Sequence, residues 1–72
     1  MPKVKIINHK YNVGETVYLI DNGNSVEEAV VVMHISGFTT VRFTEQEGGT
    51  RVRESHLFRT REEAEENMKT KI

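Results

Sequence analysis

The dipeptide Ser36-Gly37 divides a β-rich stretch into two arms, and this constrains the chain more than any other feature. Val26 to Ile35 on one side and Phe38 to Thr44 on the other are dense in β-branched and aromatic residues. Glycine supplies the positive φ that a two-residue hairpin loop needs. Such a loop dictates the pairing: Ile35 faces Phe38, Met33 faces Thr40, Val32 faces Val41, Val31 faces Arg42 and Val30 faces Phe43. Strand side chains alternate, so one face holds Val30, Val32, His34, Val41 and Phe43. The opposite face holds Val31, Met33, Ile35, Phe38, Thr40 and Arg42. The first face is the predicted core, because it sets valines beside an aromatic ring. The second is left unusually apolar for a solvated surface.

Composition points the same way. Val, Ile and Thr supply 21 of the 72 residues, against 4 for Ala and Leu together, which favours strands over helices. Val13-Gly14-Glu15 reads as a turn into a strand over 16–20, with Val17 and Leu19 on one side and Thr16, Tyr18 and Ile20 on the other. Asp21-Asn22-Gly23-Asn24 reads as a turn. Residues 45–49 form a second hairpin loop, and residues 50–53 a short strand with Val52 inward and Arg51 and Arg53 outward. Residues 54–58 suit a single 3₁₀ turn, with a final short strand near 57–59. Thr60 and Glu63 match a capping box for a helix running to about residue 69. Glu62 and Glu63 suit the positive end of its dipole, and Glu65 and Lys69 stand in the favourable i, i+4 order. Its apolar stripe of Ala64, Met68 and Ile72 is thin, so it must dock to persist. The predicted dock is the apolar face near Met33, Ile35 and Phe38.

Three segments result: a basic extended arm or first short strand over 1–10, a barrel over 11–59 and a helix over 60–72. The expected fold class is mainly β, a single barrel of four to five antiparallel strands with a short C-terminal α-helix. A chain of this size buries only about 60% of its unfolded surface, which leaves little volume for a deep substrate pocket.

Several function classes are disfavoured. The chain has no cysteine, hence neither a disulfide framework nor a thiolate metal site. No apolar run approaches the roughly 18 residues that span a bilayer, and Asn8, His9 and Lys10 follow Ile6-Ile7 too soon for a signal-peptide core. The reading is a soluble, cytoplasmic protein with no membrane partner. His9, His34 and His56 lack ligand spacing, so no metal is expected, and no cofactor. His34 reads as a partly buried residue near the hairpin. Ser55-His56 are neighbours on a turn, without the third group that orients a nucleophile–base pair. Glu62, Glu63, Glu65 and Glu66 read as a solvated helix face. No enzyme is expected.

The strand order, tight hairpins and 3₁₀ turn before the last strand suggest an SH3-like barrel. Val13-Gly14-Glu15-Thr16-Val17 entering the first strand, and Val41-Arg42-Phe43 before an acidic turn, resemble Tudor and KOW-type modules. The chain over roughly residues 11–66 also resembles small uncharacterised proteins of Gram-positive bacteria and their mobile elements. The matching pieces there are Val13 to Tyr18, Val41-Arg42-Phe43 and Gly49 to Phe58. A Tudor-type reader implies an aromatic cage for methylated lysine or arginine. This chain has no Trp, and with Phe43 and Phe58 placed in the core, Tyr18 and Phe38 are too few for one.

Two constellations remain as candidate sites. Arg42, Arg51 and Arg53 share the outer face of the third and fourth strands, and Lys3, Lys5 and Lys10 extend that patch if the arm lies nearby. Such a face could contact phosphates in a salt-dependent, largely sequence-independent way. The plainer reading pairs these arginines with Glu45, Glu47 or Glu54. The net charge of −1 hides an uneven distribution: +3 over residues 1–10, −4 over 11–41, +2 over 42–61 and −2 over 62–72. The second constellation is the stripe Val31, Met33, Ile35 and Phe38, a protein-binding surface if exposed and a helix dock if covered. The expected function is a small non-enzymatic interaction module, a protein-binding accessory or adaptor, acting as a monomer or weak homodimer. The alternative is weak nucleic-acid binding through Arg42, Arg51, Arg53, Lys3 and Lys5.

Overall fold

The structure is a computed structural model that describes residues 10–21 and 25–69. The expected arm strand at 3–7, Lys3 and Lys5, Ile72 and the central residues of the turn at 21–24 lie outside the described residues. Four antiparallel strands form one curled sheet in the order β1-β2-β3-β4: β1 (Thr16–Asp21), β2 (Ser25–Ile35), β3 (Phe38–Phe43) and β4 (Gly49–Arg53). A 3₁₀ turn, η1 (Glu54–His56), follows, and then α1 (Arg61–Lys69). The fold is mainly β, a half-barrel with a C-terminal helix.

The hairpin between β2 and β3 turns on Ser36 at φ 49° and Gly37 at φ 83°. Positive φ at both central positions gives a turn whose twist matches that of the strands. Pairing of Ile35 with Phe38, His34 with Thr39 and Met33 with Thr40 follows from it, as expected. Beyond Met33 the register slips. Val31 pairs with Val41, Val30 with Arg42 and Ala29 with Phe43, so that Val32 is bulged out of the ladder and exposed.

The bulge corrects the predicted core. One extra residue sends every side chain of β2 that precedes it to the face opposite the expected one. Val31 and Ala29 therefore point inward and are fully buried, while Val30 faces the other way and Val32 is 41% exposed. Val31 belongs to the core and not to the outer stripe. The rest of the interior comprises Val17 and Leu19 of β1, Val41 of β3, Tyr11 and Leu57, with Phe43 and Val52 packed against them. Thr39 is also buried, its hydroxyl 3.4 Å from Nδ1 of the half-buried His34.

Two segments close over the sheet. Tyr11 is the largest fully buried side chain, and its hydroxyl donates to the Leu57 carbonyl at 3.0 Å. Phe58 then bridges to Tyr18 through reciprocal backbone hydrogen bonds of 2.8 and 2.9 Å, adding one extended pairing beside β1. This is the expected final short strand, reduced to a single bridge.

α1 begins with the expected cap: the Glu63 amide donates to Thr60 Oγ1 at 3.1 Å. The Glu63 carboxylate reaches back to the amide of Arg59 at 3.1 Å. The helix does not dock where expected. It lies against β1 and β2 with Ala64 fully buried, and Arg61 sits 5.4 Å from the Tyr18 ring centroid and 4.0 Å from Glu28 Oε1. Phe58 explains this placement. It is pinned to β1, and three residues later the helix starts, a reach of about 10 Å at full extension. Met33 and Ile35 lie farther off, toward the opposite end of β2, about 17 and 23 Å along the strand from Glu28 at roughly 3.3 Å per residue.

Candidate binding face

Because α1 sits elsewhere, the outer face around the β2–β3 hairpin stays open. Met33 is 45% exposed and Ile35 41% exposed, with Phe38 half-buried beside them. The register sets the basic residues on the same face. Phe38 pairs with Arg53, Thr40 with Arg51 and Arg42 with Gly49. Paired residues share a face, so Arg42, Arg51 and Arg53 stand on one side of β3–β4 with Met33, Ile35 and Phe38. The structure thus brings together the arginines and the apolar stripe, which sequence reasoning treated as separate constellations. It removes Val31 from the stripe.

The electrostatics of this face are one-sided. Arg42, Arg51 and Arg53 are all exposed, and no carboxylate of the described residues lies within ion-pair distance of them. The predicted pairing with Glu45, Glu47 or Glu54 does not form; a Glu54 carboxylate oxygen instead accepts from the Lys10 backbone amide at 2.6 Å. Arg53 lies over the Phe38 ring, 4.9 Å from its centroid. That distance suits a cation–π contact, and no carboxylate among the described residues pairs with the guanidinium.

The other two arginines are used differently. Arg59 bonds Glu15 at 3.3 Å and the Lys10 carbonyl at 3.3 Å, and lies 5.1 Å from the Tyr11 centroid. Lys10 approaches the same ring at 5.6 Å. Lys10 therefore sits by Tyr11 and Glu54, engaged in holding the entry segment to the barrel. Arg61 binds α1 to Tyr18 and Glu28. Arg59 and Arg61 are structural contacts; Arg42, Arg51 and Arg53 face outward, without an ion pair among the described residues.

A second feature escaped the sequence. An open cleft of about 310 Å³ is lined by Leu19, Ile20, Val52, Ser55, His56, Phe58 and Asn67. It lies where the half-barrel fails to close, between β4 with η1 on one side and β1 with Phe58 on the other. Its lining draws on four separate elements, so no local motif announces it. Phe58, predicted as core, is half-buried at this cleft.

Among the described residues, no group of three or more His, Asp or Glu side chains is placed to hold a metal ion. No helix among them is long and apolar enough to cross a membrane. Comparison of the chain with protein-family models, curated proteins and solved structures returns no match.

Proposed function

We propose that this protein is a small non-enzymatic interaction module that holds an acidic, partly apolar segment of another protein on the outer face of β2, β3 and β4. One observation carries the reading: three exposed arginines, with no carboxylate partner among the described residues, stand beside exposed Met33 and Ile35 on a single face. Arginine, methionine and phenylalanine are enriched at protein interfaces, and arginine is a frequent energetic hot spot. The strand order, with a 3₁₀ turn before a last extended pairing, supports an SH3-like barrel of the Tudor and KOW type as the scaffold. Lack of cysteine accords with work in a reducing compartment such as a bacterial cytoplasm.

Peptide display tests this directly. Random peptides selected on the wild-type protein should enrich for Asp and Glu interspersed with apolar residues. They should bind at least tenfold more weakly to the double variant Arg51→Glu with Arg53→Glu. Enriched peptides that are basic, or that bind both proteins equally, would sink the reading.

The same arginines favour a second reading, weak sequence-independent binding of nucleic acid. Only Phe38 is available there as a stacking ring, and Arg53 already covers it. Titration of single- and double-stranded DNA at low salt separates the two, since phosphate contacts would make affinity fall steeply with salt.

A further inference from the structure

Strand β4 ends the sheet, and its outer edge is unpaired among the described residues. Which backbone groups point there follows from one hydrogen bond. The Phe43 amide donates to the Gly48 carbonyl at 3.0 Å, and the register pairs Arg42 with Gly49. Antiparallel pairs alternate between hydrogen-bonded and non-bonded, so Thr50 and Val52 turn their amides and carbonyls toward β3. Gly49 and Arg51 turn theirs away, to the open edge, and so does the Arg53 amide, whereas the Arg53 carbonyl accepts the first hydrogen bond of the 3₁₀ turn η1. Two of the three outward arginines, Arg51 and Arg53, therefore also offer backbone groups at an edge that no described residue pairs: the amide and carbonyl of Arg51 and the amide of Arg53.

We infer that β4 accepts a further antiparallel strand from a partner protein, one with acidic residues at alternate positions and an apolar residue between them. This deepens the binding reading above and rests on it. The incoming residue opposite Arg51 forms a reciprocal hydrogen-bonded pair and the one opposite Arg53 accepts from its amide, both with side chains on the arginine face; carboxylates there meet two guanidinium groups that no described carboxylate pairs. The residue between them faces the opposite side, the side from which Val52 lines the cleft with Leu19 and Phe58. An apolar side chain suits that position. Strand addition of this kind draws affinity from main-chain bonds and specificity from alternate side chains.

A second copy of this chain is the wrong occupant. An antiparallel β4–β4 pairing centred on Arg51 or Val52 sets arginine against arginine, and like charges directly opposite are destabilising. Edge charges of one sign guard against self-pairing and still admit a strand of the opposite sign.

The test uses three labelled nine-residue peptides on the full chain, each alternating glutamate and valine. One is unmodified, one is N-methylated at the glutamate amides and one at the valine amides. Charge and apolar content are the same in all three. The glutamate opposite Arg51 must donate to β4, whereas valine amides point away from it. The unmodified and valine-methylated peptides should therefore bind alike, with the glutamate-methylated peptide at least tenfold weaker. Exchange of the Arg51 and Arg53 amides, followed by nuclear magnetic resonance, should slow at least tenfold in the complex. Equal binding of both methylated peptides without new protection at Arg51 and Arg53 would overturn strand addition and leave docking by side chains intact. Absence of binding by all three would likewise overturn it, with the display experiment deciding the broader reading independently.

Discussion

Ser36 holds a backbone conformation, φ 49°, that L-residues adopt at a cost. The turn requires positive φ at both central positions, and asparagine tolerates the first better than serine does. Ser36→Asn should therefore stabilise the protein by about 0.5 kcal/mol, a fraction of the left-handed penalty, read as a higher urea midpoint at unchanged m-value. A fall in midpoint would show that the serine hydroxyl does something the turn geometry does not require. Gly49 has the opposite character. A Cβ built there collides with the Val41 carbonyl oxygen and crowds the Arg42 Cα, both backbone atoms of the neighbouring strand. Backbone has no rotamer with which to yield. Gly49→Ala should cost about 1–3 kcal/mol, the usual range for overpacking, measured by the same unfolding experiment. No loss of stability would mean that β4 can move away from β3 at this end.

Among elements, the part visible from sequence was whatever local chemistry controls. The Ser36-Gly37 loop, the alternation of Val17 and Leu19, the 3₁₀ turn at Glu54–His56 and the Thr60 cap each follow from a few adjacent residues, and each is present. The bulge at Val32 does not. Val30, Val31 and Val32 are identical in kind, so periodicity cannot say which one leaves the ladder. The decision belongs to tertiary packing, which buries Ala29 and Val31 against Val41 and Phe43. Membership of the outer stripe depends on that choice, which is why Val31 was misplaced and Met33, Ile35 and Phe38 were not. The role of Tyr11 was hidden for a related reason: its partner Leu57 lies 46 residues away. The phenol oxygen gives the buried Leu57 carbonyl a donor, and its loss leaves that acceptor unsatisfied. Tyr11→Phe should thus lower stability by about 1–2 kcal/mol while keeping the ring in the core. Thermal unfolding checks this, and an unchanged midpoint would mean that another donor serves Leu57.

At the scale of the whole molecule, a net charge of −1 conceals a division of labour among five arginines. Arg59 and Arg61 each combine an ion pair with stacking on a tyrosine ring, and they tie the entry segment and α1 to the barrel. Among the described residues, Arg42, Arg51 and Arg53 have no carboxylate to neutralise them, and of the three only Arg53 touches a ring. Stability and binding should therefore respond to different substitutions. Replacing Arg59 and Arg61 together with glutamine should cost about 1–2 kcal/mol, summing modest exposed ion-pair and cation–π contributions. Replacing Arg42 and Arg51 with glutamine breaks no ion pair among the described residues, so stability should stay within about 0.5 kcal/mol of wild type. It should even rise slightly at low salt, because two like charges on one face repel each other less once they are gone. The same pair of substitutions should weaken binding of an acidic peptide, by an amount that shrinks as salt is added. Urea unfolding and peptide titration on one set of proteins at two ionic strengths measure both effects. A loss of stability on replacing Arg42 and Arg51, with peptide affinity unchanged, would mean that the outer arginines serve the fold and that the binding face lies elsewhere.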